Sequence, residues 1–108
     1  MSRLLASATA CTFALAAAPA AAYDAAEARA LAERKACFGC HEIDRTAAAP
    51  GFKAIAAGYQ SVPDAVNKVA ATLKTGGKSH FGDRGSMPAQ VRLTAQEAQT
   101  LAEWALSQ

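Results

Sequence analysis

Cys37-Phe38-Gly39-Cys40-His41 is the stretch on which the reading of this chain turns. Two thiols three positions apart, placed where a helix breaks, can each add to one of the two vinyl groups of a haem. The next residue then lies under the porphyrin with an imidazole nitrogen aimed at iron. C-x-x-C-H is accordingly the pattern of c-type haem attachment. Three other readings use the same residues. A thioredoxin-like dithiol needs a βαβ setting, and the flanking sequence shows none. A structural zinc site needs four ligands. Cys37, Cys40, His41 and His80 supply four on paper, but without a second closely spaced pair. A plain disulfide across so short a loop would stabilise little. Haem attachment is the expectation.

Working outward, residues 1–22 read as a secretory signal. Arg3 is the only charge before Asp24. Leu4 to Ala18 is apolar but too short and too small to span a bilayer. Ala20-Ala21-Ala22 offers a small-x-small cleavage pattern, which places the cut before Tyr23, with a cut after Ala20 as the alternative. A short retained anchor is the competing reading. Cys11 ends a faint lipoprotein-like box that comes too early, so it is expected to be discarded with the signal. Export strengthens the motif, because bacteria attach c-type haem outside the cytoplasm. The expected organisation is a signal over 1–22, one domain over 23–108, and a periplasmic location.

Composition agrees with a cofactor at the centre. The 108 residues are 52% hydrophobic but only 6% aromatic, and 30 of them are alanine. Ten of those alanines fall in residues 1–22. The remaining 86 residues carry only 18 large apolar side chains. That is a thin core for a domain already marginal in size, and a buried cofactor would complete it. The apoprotein is therefore expected to be largely unfolded. Val and Ile total six, too few for a sheet, so the fold class is all-α. Net charge is +2 for the chain and +1 without the signal, with no basic run. Nucleic acid and anionic membrane surfaces are not expected partners.

Asp24-Ala25-Ala26-Glu27 reads as a capping box opening a helix that runs towards Ala36. A short second helix is expected near Gly51–Ala57, after Pro50. Ser61-Val62-Pro63-Asp64 opens a third, with Val66, Val69, Ala70 and Leu73 as its apolar stripe and Gly76-Gly77 as its stop. Lys78 to Val91 reads as irregular. Thr94-Ala95-Gln96-Glu97 is a second capping box, opening a final helix to about Leu106 with Leu101, Trp104 and Ala105 inward.

An iron held by His41 on one face needs a second axial ligand for electron-transfer work. The candidates are Met87, His80 and a lysine. Met87 is favoured: it lies in Gly85-Ser86-Met87-Pro88, off any helical stripe, where proline can fix the direction of the thioether. Core filling is the competing role for a lone methionine.

From Leu31 to Gln108 the chain resembles the small bacterial class I cytochromes c of the cytochrome c-551/c-552 type. The resemblance rests on Cys37-x-x-Cys40-His41, Pro50-Gly51-Phe52-Lys53, Leu73-Lys74-x-Gly76, Phe81-Gly82, Met87-Pro88 and Glu97-Ala98-Gln99-Thr100-Leu101-Ala102-x-Trp104, in that order. It implies about four helices wrapped around one covalently bound haem, with the first and last crossing near it. It implies thioethers at Cys37 and Cys40, and His41 and Met87 on the iron. It implies that the Pro50 carbonyl accepts from the other ring nitrogen of His41. Gln90 stands where the family often has an Asn near the methionine sulfur. Phe81 replaces a Trp that donates to a haem propionate, a role left to His80, Lys78 or Arg84. The interval from Phe81 to Met87 is one residue longer than in close relatives. Leu31-Ala32 replaces a common aromatic, so the helix crossing should be packed by smaller side chains.

The expected function is that of a soluble electron carrier rather than an enzyme. Two axial protein ligands leave no open position on the iron, and no Ser/His/Asp or paired-carboxylate arrangement stands out. Partners of the family's usual kind are a bc1-type complex, a terminal oxidase or a nitrite reductase. The protein is expected to be a monomer with no stable membrane insertion once the signal is cut. Lys35, Lys53, Lys74, Lys78 and Arg84 are candidates for a docking rim, against an ordinary solvated surface. The alternatives are a ligand-binding haem sensor with a labile distal Met87, and a haem subunit of a larger oxidoreductase.

Overall fold

The computed structural model describes residues 23–78 and 86–108. The expected signal with Cys11 lies outside them, as do His80, Phe81 and Arg84. The described chain is all-α apart from one minimal ladder. Its helices are α1 (Ala25–Arg34), α2 (Phe52–Gly58), α3 (Ala65–Thr75) and α4 (Ala95–Leu106), with a 3-10 turn at Cys37–Gly39.

Local chemistry explains each boundary. Asp24 caps α1 by accepting from the N–H groups of Ala26 and Glu27 at 2.9 and 3.2 Å. The helix stops at Arg34, two residues before the expected end, because Ala36 turns left-handed at φ 59°. That conformation costs an L-residue roughly 1–2 kcal/mol. It breaks the helix immediately ahead of Cys37. Thr94 and Glu97 form the full reciprocal capping box of α4. α3 begins later than Ser61, after Asp64, which is itself left-handed and accepts from the Asn67 amide at 2.7 Å rather than capping the backbone. Gly76 ends α3 at φ 66°.

The stretch expected to be irregular holds an antiparallel pair, β1 (Gly77–Lys78) and β2 (Ser86–Met87). Gly77 faces Met87 and Lys78 faces Ser86. Two residues per strand are too few to leave a periodic signal in sequence.

α4 is the hub: α1, α2 and α3 all pack against it. Half of the twelve buried hydrophobic residues among those described are alanines. Ala28 and Ala32 of α1 and Ala98 and Ala102 of α4 are at most 1% exposed, so the helices approach through methyl groups. The larger buried side chains are Leu31, Phe52, Val69, Leu93, Leu101 and Trp104. Among the described residues no helix is long and apolar enough to cross a membrane.

Candidate cofactor site

One cavity runs between the C-x-x-C-H turn and the Met87 strand. Cys37, Cys40, His41, Pro50, Met87 and Gln90 all line it. The six residues singled out in the sequence are therefore brought together. The rest of the wall is largely apolar, with Phe52, Ile55, Val69, Leu73, Leu101 and Trp104.

The His41 side is built from the loop that follows the motif. His41 Nδ1–H donates to the Pro50 carbonyl at 2.7 Å. A carbonyl can only accept, so the bond places a proton on Nδ1, and it is Nε2 that carries the lone pair in the neutral ring. Among the described residues Nε2 has no hydrogen-bond partner. The Pro50 segment is held in turn by the loop before it. Phe52 N–H donates to Glu42 O at 2.8 Å, Lys53 N–H to Ile43 O at 3.0 Å, and Ala49 N–H to Cys40 O at 3.2 Å. Gly51 passes so close to Arg45 that a Cβ there would meet its carbonyl oxygen at 2.7 Å. Arg45 pairs with Glu42 through two bonds, at 2.6 and 2.9 Å, which holds the Glu42 carboxyl below the usual carboxylate range.

An aromatic cluster backs the imidazole. Phe52 lies 5.1 Å from His41, 4.7 Å from Trp104 and 5.5 Å from Phe38, centroid to centroid. Phe52 and Trp104 are buried. The sequence placed Trp104 inward, but no signal there puts Phe52 against the His41 ring. Cys37 and Cys40 are both free thiols. Burial pushes the Cys37 thiol above its ordinary value, with a backbone hydrogen bond pulling partly back.

The Met87 side is simpler. Met87 is half-buried on β2. Gln90 N–H donates to Leu73 O at 2.8 Å, which ties the chain beyond Met87 to the end of α3. The Gln90 side-chain amide donates to the Pro88 carbonyl at 2.9 Å, so part of the capacity expected near the methionine sulfur is used there. Gly76 touches this segment: a Cβ would lie 2.6 Å from Ala89 N and 2.7 Å from Met87 O.

Three of the expected docking cations have internal partners. Lys35 Nζ pairs with Glu97 at 3.4 Å, Lys53 pairs with Asp44, and Lys74 Nζ donates to Leu93 O at 2.8 Å. The side chain of Lys78 and all of Arg84 lie outside the described residues.

The donor set suits a macrocycle better than a bare ion. A single imidazole and a single thioether are too few for a metal without other ligands. They would suit an iron that a porphyrin also holds, with His41 and Met87 as its protein ligands. The apolar wall suits the flat faces of such a group, and two free thiols on its edge suit its vinyl substituents.

Comparison with known proteins points the same way. The cytochrome c family model matches residues 25–108. Cytochrome c-552 of Nitrosomonas europaea is 35% identical over 96 residues, covering 89% of this chain and 91% of that protein. Cytochrome c-551 of Azotobacter vinelandii is 36% identical over 77 residues, covering 71% and 92%. The crystal structure of the Nitrosomonas europaea cytochrome c552 matches with a TM-score of 0.68 at 32% identity, covering 73% of this chain and 96% of that one. The chain belongs to the cytochrome c family, as a small class I member with covalently bound haem c as its cofactor.

Proposed function

We propose that this protein is a soluble periplasmic carrier of single electrons between respiratory redox partners. The observation that carries the reading is the convergence of Cys37, Cys40, His41 and Met87 on one apolar cavity, with His41 pinned through Nδ1. Bound haem supplies an iron that cycles between Fe(II) and Fe(III). The protein's residues decide how. Cys37 and Cys40 would tether the group as thioethers. His41 would offer Nε2 to the iron, and the Pro50 carbonyl, by accepting from Nδ1–H, would keep the imidazole in the right tautomer and raise its basicity. Met87 would hold the iron through its thioether, which would favour Fe(II) and a higher potential. The aromatic cluster of Phe38, Phe52 and Trp104 keeps water from the His41 side.

A bc1-type complex as donor and a terminal oxidase or nitrite reductase as acceptor fit this role. With Lys35 and Lys53 paired to carboxylates and a net charge of only +1 without the signal, long-range charge steering of such partners is expected to be weak. Residues 1–22 act as the export signal, and the mature carrier is a monomer.

A spectrum of the purified protein, oxidised minus reduced, tests the reading. The oxidised form should show the near-infrared band of methionine-ligated iron, and Met87→Ala should abolish it. High-spin bands in the native protein, or an unchanged spectrum in Met87→Ala, would sink the Met87 assignment and favour a ligand-binding haem protein. Size exclusion of the native extract separates a free carrier from a subunit of a larger oxidoreductase.

A further inference from the structure

The carbonyl that receives the His41 proton belongs to the peptide group between Pro50 and Gly51. The N–H of that same peptide group, on Gly51, donates to Thr46 Oγ1 at 3.2 Å. Thr46, one amide and the His41 ring thus form a single hydrogen-bonded chain: Thr46 Oγ1, Gly51 N–H, Pro50 C=O, His41 Nδ1–H. Hydrogen bonds in series polarise one another. An acceptor on the amide N–H pushes electron density towards its carbonyl oxygen. That oxygen then pulls harder on the imidazole proton, and a more anionic imidazole favours Fe(III).

We propose that Thr46 is a positioning residue for His41, acting through the Pro50–Gly51 peptide to set the donor strength of the imidazole and so lower the reduction potential. The proposal rests on His41 being the iron ligand. The surrounding loop is built to hold this arrangement. The backbone bonds from Phe52 to Glu42 and from Lys53 to Ile43 lay residues 42–46 alongside 50–53. The bare α-carbon of Gly51 lets the two strands of the loop approach at Arg45.

The test uses the haem-loaded protein and three variants. Thr46→Val keeps the shape and removes the acceptor. Thr46→Ser keeps the hydroxyl. Arg45→Ala removes the Glu42 ion pair and leaves the Thr46 bond. The readouts are the midpoint potential and the NMR shift of the His41 Nδ1 proton in the reduced protein. Thr46→Val should move that proton upfield and shift the Fe(II)/Fe(III) ratio about twofold towards Fe(II), or ~18 mV at ~59 mV per tenfold. Thr46→Ser and Arg45→Ala should match the parent. An unchanged Thr46→Val overturns the proposal, as does a Thr46→Ser that shifts as far as Thr46→Val. Should Thr46→Val fail to load haem, the Gly51 amide of the parent protein decides: slow hydrogen exchange supports the bond, and rapid exchange overturns it. A parent protein whose iron-bound imidazole is not His41 overturns the underlying ligand assignment instead, before any variant is compared.

Discussion

On the His41 side, residues 42–46 and 50–53 are joined by backbone bonds and a hydroxyl bond, a bidentate ion pair braces the first of these segments, and the imidazole rests on the buried Phe52 ring. On the Met87 side, among the described residues, a ladder of two residue pairs and the bond from Gln90 to Leu73 hold the chain in place. The first arrangement spreads its energy over many contacts. The second concentrates it at Gly76, where the end of α3 touches the backbone of Met87 to Ala89. Damage to the first should therefore appear as lost stability with the iron ligands kept. Damage to the second should appear in the iron spectrum itself.

The largest stability effect should come from Phe52→Ala. It removes the ring shared by His41, Phe38 and Trp104 and should cost about 3–5 kcal/mol in thermal or denaturant unfolding. A cost below ~1 kcal/mol would show that the cluster does not support this side. Gly76→Ala should follow, at about 3 kcal/mol from overpacking plus the strain of a positive-φ, extended-ψ backbone that only glycine adopts readily. It should also weaken or abolish the near-infrared methionine band. Gly51→Ala meets a similar clash against Arg45 without that backbone strain, and should lose about 1–3 kcal/mol with the band intact. If both glycine variants kept the band, the contrast between the two sides would fail.

The smallest effect is electrostatic. The Thr94 backbone N–H, and then Lys35, hold the Glu97 carboxyl below its ordinary value. A group depressed in the folded state stabilises fully above its unfolded pKa, about 4.3, and loses that contribution as pH falls through its folded value. Melting temperature should therefore drop between about pH 5 and pH 3, and Glu97→Gln should be less sensitive over that range. Equal acid sensitivity in the two proteins would remove Glu97 from the explanation.

What could be read from sequence divides along physical lines. Thr94 and Glu97 carry their own geometry, three residues apart, and the box forms as expected. At α1 only the Asp24 half of the expected box forms. The C-x-x-C-H turn is legible from its own spacing, whereas Pro50 is expected from the family resemblance and Met87 from its loop setting; all line one cavity. Phe52 against His41, Gly76 against Met87 and Thr46 under Gly51 were not legible. Each is a contact between segments whose separation is set only by the folded loop. The left-handed Ala36 was hidden for a related reason: alanine favours helix, and only the packing of the turn overrides it.

The crossing of α1 and α4 has a further consequence. Ala28, Ala32, Ala98 and Ala102 have no rotamers to lose, so joining these helices freezes no side-chain motion at those positions. They also have no rotamers with which to adapt. A larger residue cannot swing aside, and the helix axes themselves must move apart. The crossing thus acts as a spacer of fixed length. Ala36, two residues beyond the end of α1, and Trp104 on α4 both line the cavity, so the crossing sets how far apart these two parts of its wall stand.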